Sequence, residues 1–333
     1  MSAAPNRRAV VIVLLVPLAV TLALWAFAWP AARIAPRDLP VGVAGSAAAA
    51  GQLQERFEQH EGAFEIHRYD DAAAARTAIE NRVVYGAVVA TGKGPQLLVA
   101  SAAGPVVSQL LTQMVAGASP AGTAVPVTDV VAAPAADPRG SALGASILPL
   151  AIAGVAAGAV VTSMKLRGAR AAVTLAGTAA LVGIATTAVT HSWLGAITGA
   201  WWTEAGVIGL TVLAIGSIVA GLATLIGPAG IGLGSLLIVL LGNSFSGVTS
   251  APELLPEPVG LIGQWLPPGA GGSLLRSVAF FDGRGAGGAV AILAAWAALG
   301  LLAVLVAGRG RPERTDGAAA PASEPDPVPV PVG

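Results

Sequence analysis

The feature that most limits what this chain can fold into is a set of long blocks from which charge is absent. Ala9 to Trp29, Leu143 to Ser163, Ala171 to Thr190, Val207 to Ile226 and Gly288 to Ala307 are each about 20 residues long and hold no Asp, Glu, Lys or Arg. A helix rises ~1.5 Å per residue, so each block matches a hydrocarbon core of ~30 Å. A sixth block, Ala229 to Leu241, follows Val207 to Ile226 almost at once. As one helix the combined run would measure ~52 Å. Gly227-Pro228 in its middle predicts two helices joined by a tight hairpin, because Pro cannot continue a regular helix. Six transmembrane helices are therefore expected. Only 11% of residues are charged, against about 25% in a soluble domain. Because that shortfall is concentrated in the blocks, it indicates spans and not an oily core.

The first block follows Arg7 and Arg8 and contains Ala26-Phe27-Ala28, the form of a signal-peptide cleavage site. Its 21 uncharged residues exceed the usual apolar region of such peptides, so residues 9–29 are expected to stay as an anchor behind a short amino terminus, 1–8. Trp25 and Trp29 stand at its far end, where interfacial aromatics belong.

Residues 30–141 carry eighteen charged side chains and a different rhythm. Leu39 to Ala44 reads as a strand, Ala47 to His60 as an amphipathic helix, and Phe64 to Tyr69 alternates like a half-buried strand. Asp70 or Asp71 can cap a helix reaching Asn81, with Ala75, Ala78 and Ile79 as its inner face. Val83 to Ala90 is a continuous apolar strand, and Gly92 to Pro95 turns the chain into another at Gln96 to Ala100. Val106 to Val115 is helical. The order β-α-β-α-β-β-α predicts an α/β domain inserted between the first two spans, leaving by an Ala/Pro-rich, stalk-like linker at Ala132 to Pro138.

Orientation follows from the short loops. Lys165, Arg167 and Arg170 lie between the second and third spans, and Arg309, Arg311 and Arg314 follow the last. The positive-inside rule places both groups in the cytoplasm. Both termini then lie inside and 30–141 outside, as in a multi-pass protein of a bacterial inner membrane. The tail at 309–333, rich in Ala, Pro and acids, is expected to be a disordered cytoplasmic segment.

The residues exclude several chemistries. Formal net charge is zero, which argues against nucleic acid as a partner. There is no Cys, no G-x-x-x-x-G-K-[ST] loop, no H-E-x-x-H and no G-x-S-x-G, so no catalytic, metal or cofactor-binding residues are assigned. His60, His67 and His191 are scattered and read as surface or interface imidazoles, and Glu204, beside Trp201 and Trp202, as an interfacial anchor. Gly154 with Gly158, Ser217 with Gly221 and Gly230 with Gly234 have the four-residue spacing that lets helices approach closely.

Residues 250–282 combine two short apolar arms, Val259 to Leu266 and Ser273 to Phe281, with Pro267 to Gly272 between them. Each arm is too short to span. The pattern predicts a helical hairpin dipping into the outer leaflet, with Pro267 to Gly272 as its turn and Arg276 snorkelling to the headgroups.

This layout resembles the permease subunits of type-two ABC transporters, and among them the phage infection protein branch. The resemblance rests on one span, a large outer domain and five further spans. It rests also on Leu255-Pro256, Leu266-Pro267-Pro268-Gly269 and Leu274-Leu275-Arg276 before the last span, and on the stretch from Ala78 to Ala87. It implies export of a hydrophobic or amphipathic compound by a homodimer or heterodimer of such subunits, energised by a separate ATPase. Pro256, Leu266, Pro267, Pro268, Gly269 and Arg276 would then form an outer gate, and Lys165, Arg167 and Arg170 an ATPase-facing loop. That loop, Met164 to Arg170, is short for such coupling. The outer domain set against so small a cytoplasmic surface motivates the alternative, a non-transporting envelope protein whose outer domain binds a ligand, a partner or a phage.

Overall fold

A computed structural model describes residues 4–92, 94–118 and 124–309. The chain is predominantly helical, with one small mixed sheet. The first helix, α1 (Ala4–Ala31), takes in Arg7 and Arg8 as well as the first apolar block. Its sides are largely exposed, and its far end is held where Trp29 packs against Phe245, Leu255 and Val259.

The α/β domain follows as β1 (Leu39–Ala44), α2 (Ala47–Glu58), β2 (Phe64–Tyr69), α3 (Ala72–Glu80), β3 (Gly86–Thr91), β4 (Gly94–Val99), α4 (Pro105–Ala118) and β5 (Val127–Asp129). The sheet order is β2-β1-β3-β4-β5, with β3 and β4 antiparallel and the other pairs parallel. From β1 the chain steps outward to β2, then back across β1 to β3. Right-handed crossovers in opposite directions place their helices on opposite faces. Accordingly Phe57 of α2 and Leu111 of α4 share one core with Leu39, Val41 and Val43, while Ala75, Ala78 and Ile79 of α3 fill the other. The Asp71 side chain caps α3, accepting from the Ala74 N–H at 2.8 Å.

Two expectations for the domain are corrected. The third strand begins at Gly86 and not at Val83, because α3 ends in a Schellman turn. Arg82 N–H donates to Ile79 O, Val83 N–H donates to Ala78 O, and Arg82 takes the left-handed position at φ 60°. The segment before α5 (Ser141–Ser163) is no stalk. Residues 132–138 follow β5 and pack back on the domain, Ala133 N–H donating to Ser101 Oγ at 2.8 Å, and the buried Asp137 carboxylate accepts from Ser141 N, Ser141 Oγ and Ala142 N at the start of that helix.

The bundle continues with α6 (Gly168–Thr187), running into a π-helical turn at Ala188–Trp193, then α7 (Trp201–Ile226) and α8 (Pro228–Ser235), which runs into a second π-helical stretch at Leu236–Gly242. After α9 (Val259–Trp265) and α10 (Pro267–Phe280), α11 (Gly287–Arg309) closes the chain. Helix α7 is the axis, buried for most of its length against α5, α6 and α11. Glycine sets these approaches. A Cβ on Gly158 would lie 2.5 Å from Gly216 O, one on Gly154 2.6 Å from Ile215 Cγ2, and one on Gly183 would overlap Ala205 O.

Among the described residues five helices are long and apolar enough to cross a membrane: Ala9–Ala31, Ser141–Ser163, Gly168–Trp193, Trp201–Ile226 and Gly287–Gly308. The sixth block forms the apolar helix Pro228–Gly242, which at 15 residues measures about 22 Å, short of the ~30 Å core. The expected hairpin at Gly227-Pro228 is present, with Gly227 at φ 71° and Pro228 opening α8. The backbones of Gly168 and Gly308 meet at one end of the bundle, and the α/β domain sits at the other. The expected tail lies outside the described residues beyond Arg309.

Candidate functional site

The site is the seam between the α/β domain and the helical hairpin. After α8 the chain makes a 3-10 turn at Pro252–Leu254, and this turn is the seat of the domain. Ala35 N–H donates to Leu254 O, Arg37 N–H to Glu253 O, and Arg37 Nη1 to Leu254 O at 3.0 Å. Ala251 and Leu254 enter the core under one face of the sheet, and Phe281, past the end of α10, enters the core under the other. The domain is therefore clamped on both faces by the two ends of the hairpin segment.

Within the hairpin, the turn between the arms is a single extended residue, Leu266 (φ −96°, ψ 148°). Pro267 to Gly272, expected as the turn, instead forms the first half of α10. Proline is tolerated in a first helical turn, where its missing N–H would have no partner. The glycines that follow are a packing face. A Cβ on Gly269 would overlap Gly263 O, one on Gly271 would press on Thr211 of α7, and one on Gly272 would overlap Val248.

Between the domain and the hairpin lies a cleft of about 620 Å³. Its lining includes the polar side chains Arg37, Arg82, Tyr85, Glu253 and Arg276 and the apolar side chains Val83, Val84, Leu261, Ala289 and Ile292. Arg82 reaches the hairpin from the domain, its Nη1 donating to Ser273 O at 3.0 Å and to Ser277 Oγ, with the guanidinium 5.4 Å from the Phe281 ring centroid. Tyr85 OH donates to Glu253 Oε2 at 2.8 Å. Burial lowers the Arg82 pKa from the usual arginine value, partly offset by Tyr85 and Glu253. Burial also raises the Tyr85 phenol well above its usual value, and the Glu253 charge and hydrogen bond push it further the same way.

Arg276 does not snorkel. It is 6% exposed and donates from Nη2 to Val248 O at 2.8 Å, because the domain covers the face of α10 that carries it. Of the six residues expected to form an outer gate, Arg276 alone lines the cleft. Pro256, Leu266, Pro267, Pro268 and Gly269 are buried in packing around it. Lys165, Arg167 and Arg170 are exposed at the opposite end of the bundle.

Glu204 is also no interfacial anchor. It is fully buried in the first turn of α7, accepting from Gly199 N–H at 2.7 Å, with His191 Nδ1 2.7 Å from its other oxygen. An acid there complements the positive end of the helix, and the pair closes the connection from α6 to α7. Sequence reasoning missed Arg37, Arg82, Tyr85 and Glu253 as cleft residues. The one local signal is the Asn81-Arg82 turn after α3, which places a long cation where glycine is usual. Comparison with protein-family models, with curated proteins and with solved structures finds no match for this chain.

Proposed function

We propose that this chain is a permease-like membrane subunit of an ABC-type exporter, moving a hydrophobic or amphipathic compound and energised by a separate ATPase. The observation that carries the reading is the cleft. Its lining combines charged and apolar side chains, and it lies between a domain and a short-armed hairpin at one end of an apolar bundle. In this reading the hairpin is re-entrant and bounds the compound's path on the outer side, and Pro228–Gly242 completes a sixth crossing by pairing with α7. The basic residues Lys165, Arg167 and Arg170 lie near the end of α11, which supports placing that end in the cytoplasm and the domain outside, in a bacterial inner membrane. Two such subunits, identical or similar, would pair within the bilayer. The test is reconstitution with a candidate nucleotide-binding subunit. Copurification and ATP hydrolysis that rises when this protein is present are expected, and hydrolysis indifferent to it would refute the proposal.

A second reading is favoured by one observation. The connection from α5 to α6 is only residues 164–167, and that from α7 to α8 only Gly227, so the described loops offer little surface for an ATPase to push. On that ground the chain would be a non-transporting envelope protein whose domain binds a ligand, a partner or a phage. Partner binding that persists without any ATPase, together with unstimulated hydrolysis, would decide for it.

A further inference from the structure

Arg82 and Arg276 form an unusual pair for the wall of one cleft. Both side chains are substantially withdrawn from water, yet among the described residues neither lies within ion-pair distance of a carboxylate. A buried charge is costly unless it is paired, and a guanidinium carries five N–H donors. Among the described residues Arg82 donates only from Nη1, and Arg276 only from Nη2. Glu253, an acid of the seam, accepts from the Tyr85 hydroxyl at one oxygen. With Arg37 and the exposed Glu257 also on the cleft, its titratable wall holds three arginines against two carboxylates. Glu253 offsets part of the burial cost of both arginines from a distance, but among the described residues no carboxylate pairs with the remaining donors of Arg82 and Arg276.

The apolar part of the lining specifies the rest of the ligand. Leu261 and Ile292 line the cleft, and beyond them Leu261, Ile262 and Trp265 of α9 are exposed beside α11, where Trp296 Nε1 donates to Trp265 O at 2.8 Å. A free oxyanion would have no use for this apolar exit. We infer that the cleft binds an anionic amphipathic lipid, its phosphate or carboxylate headgroup held by Arg82 and Arg276 and its chain leaving past Leu261 and Ile292. The inference rests on the transport reading only for what happens to the lipid next. Guanidinium donors match the oxygens of phosphate and carboxylate in forked geometry, and the excess of arginines over carboxylates on the cleft disfavours the added cation of a zwitterionic headgroup, which sets the preference for an anion of equal chain length.

The experiment uses the full chain purified in detergent, with a fluorescent phosphatidylglycerol as probe and phosphatidylcholine and inorganic phosphate as competitors. Phosphatidylglycerol is expected to compete about tenfold better than phosphatidylcholine, and inorganic phosphate hardly at all. Arg276→Gln and Arg82→Gln should each weaken the probe about tenfold, with partial rescue by lysine at either position. Glu253→Gln keeps an acceptor for Tyr85 but removes a negative charge, so it should tighten binding, an outcome that loss of folding cannot imitate. Equal competition by the two lipids, or unchanged binding in both glutamine variants, overturns the inference. Inorganic phosphate competing as well as phosphatidylglycerol overturns its lipid part. No ATPase enters the assay, so selective lipid binding with unstimulated hydrolysis would sink the transport reading and leave this one standing.

Discussion

Tyr85 shows how a single residue reports the seam. Its hydroxyl donates to Glu253, its backbone N–H donates to Pro40 O, and its ring packs with both cores of the domain. Holding it neutral is favoured in the folded state, since its pKa is raised there by burial and by the Glu253 charge. The folded value exceeds the unfolded value of about 10, so this contribution is fully present below pH ~10 and is lost only as pH rises toward the folded value. The chain has two tyrosines, Tyr69 and Tyr85, so Tyr69→Phe isolates the second. Alkaline spectrophotometric titration of that variant should show no phenolate near pH 10, and ionisation should instead accompany unfolding at more alkaline pH. Reversible titration near 10 with the fold intact would mean that the seam opens to water. Arg82 makes the complementary point. A side chain at φ 60° gives up backbone comfort that glycine would keep, and the position aims the guanidinium across at Ser273 and Ser277.

At the scale of elements, glycine decides how close the helices lie. Gly183 faces the backbone of Ala205 across the α6–α7 contact, whereas Gly177, less than two turns earlier on α6, has nothing within 4 Å of a built Cβ. Gly183→Ala should cost about 1–3 kcal/mol through overpacking, while Gly177→Ala should be neutral or stabilising by up to about 1 kcal/mol through helix propensity. Unfolding midpoints in one detergent check the pair, and equal effects would show that the α6–α7 contact is looser than described. The same scale explains what could be read in the residues alone. Period-two alternation placed β2, a short β-like run placed β1, and the apolar spacing on α3 named its buried face, Ala75, Ala78 and Ile79, because those signals are local. Pro267 to Gly272 was misread as a turn because proline and glycine punctuate loops as readily as they open a helix or let two backbones touch. The decisive fact, Thr211 and Val248 lying against those glycines, is remote in sequence. The cleft was illegible for that reason: Arg82 meets Ser277 across 195 positions and Tyr85 meets Glu253 across 168, and no local pattern marks either pair.

For the molecule as a whole, its two ends differ. One end gathers the α/β domain, the hairpin and the cleft, and the other holds the Gly168–Gly308 contact, the exposed Lys165, Arg167 and Arg170, and the turn at Gly227. A membrane lying across the five long helices would divide these ends, and the basic end would then be cytoplasmic. The short helix Pro228–Gly242 is the test of that division, since its ~22 Å falls below the hydrocarbon thickness and a bilayer must thin locally to accept it. Native cysteine is absent, so single thiols at Glu65, Arg167, Ala229 and Arg284, all exposed positions, can be labelled without background. With a membrane-impermeant maleimide on vesicles of known sidedness, positions 167 and 229 should react from the cytoplasmic face, and 65 and 284 from the other. Opposite labelling of 229 and 284 requires an odd number of crossings between them, and only the short helix can supply one. If 229 and 284 react from the same face, that helix does not cross and the chain has five spans. If 65 and 167 react from the same face, the division of the two ends fails, and with it the outward-facing cleft.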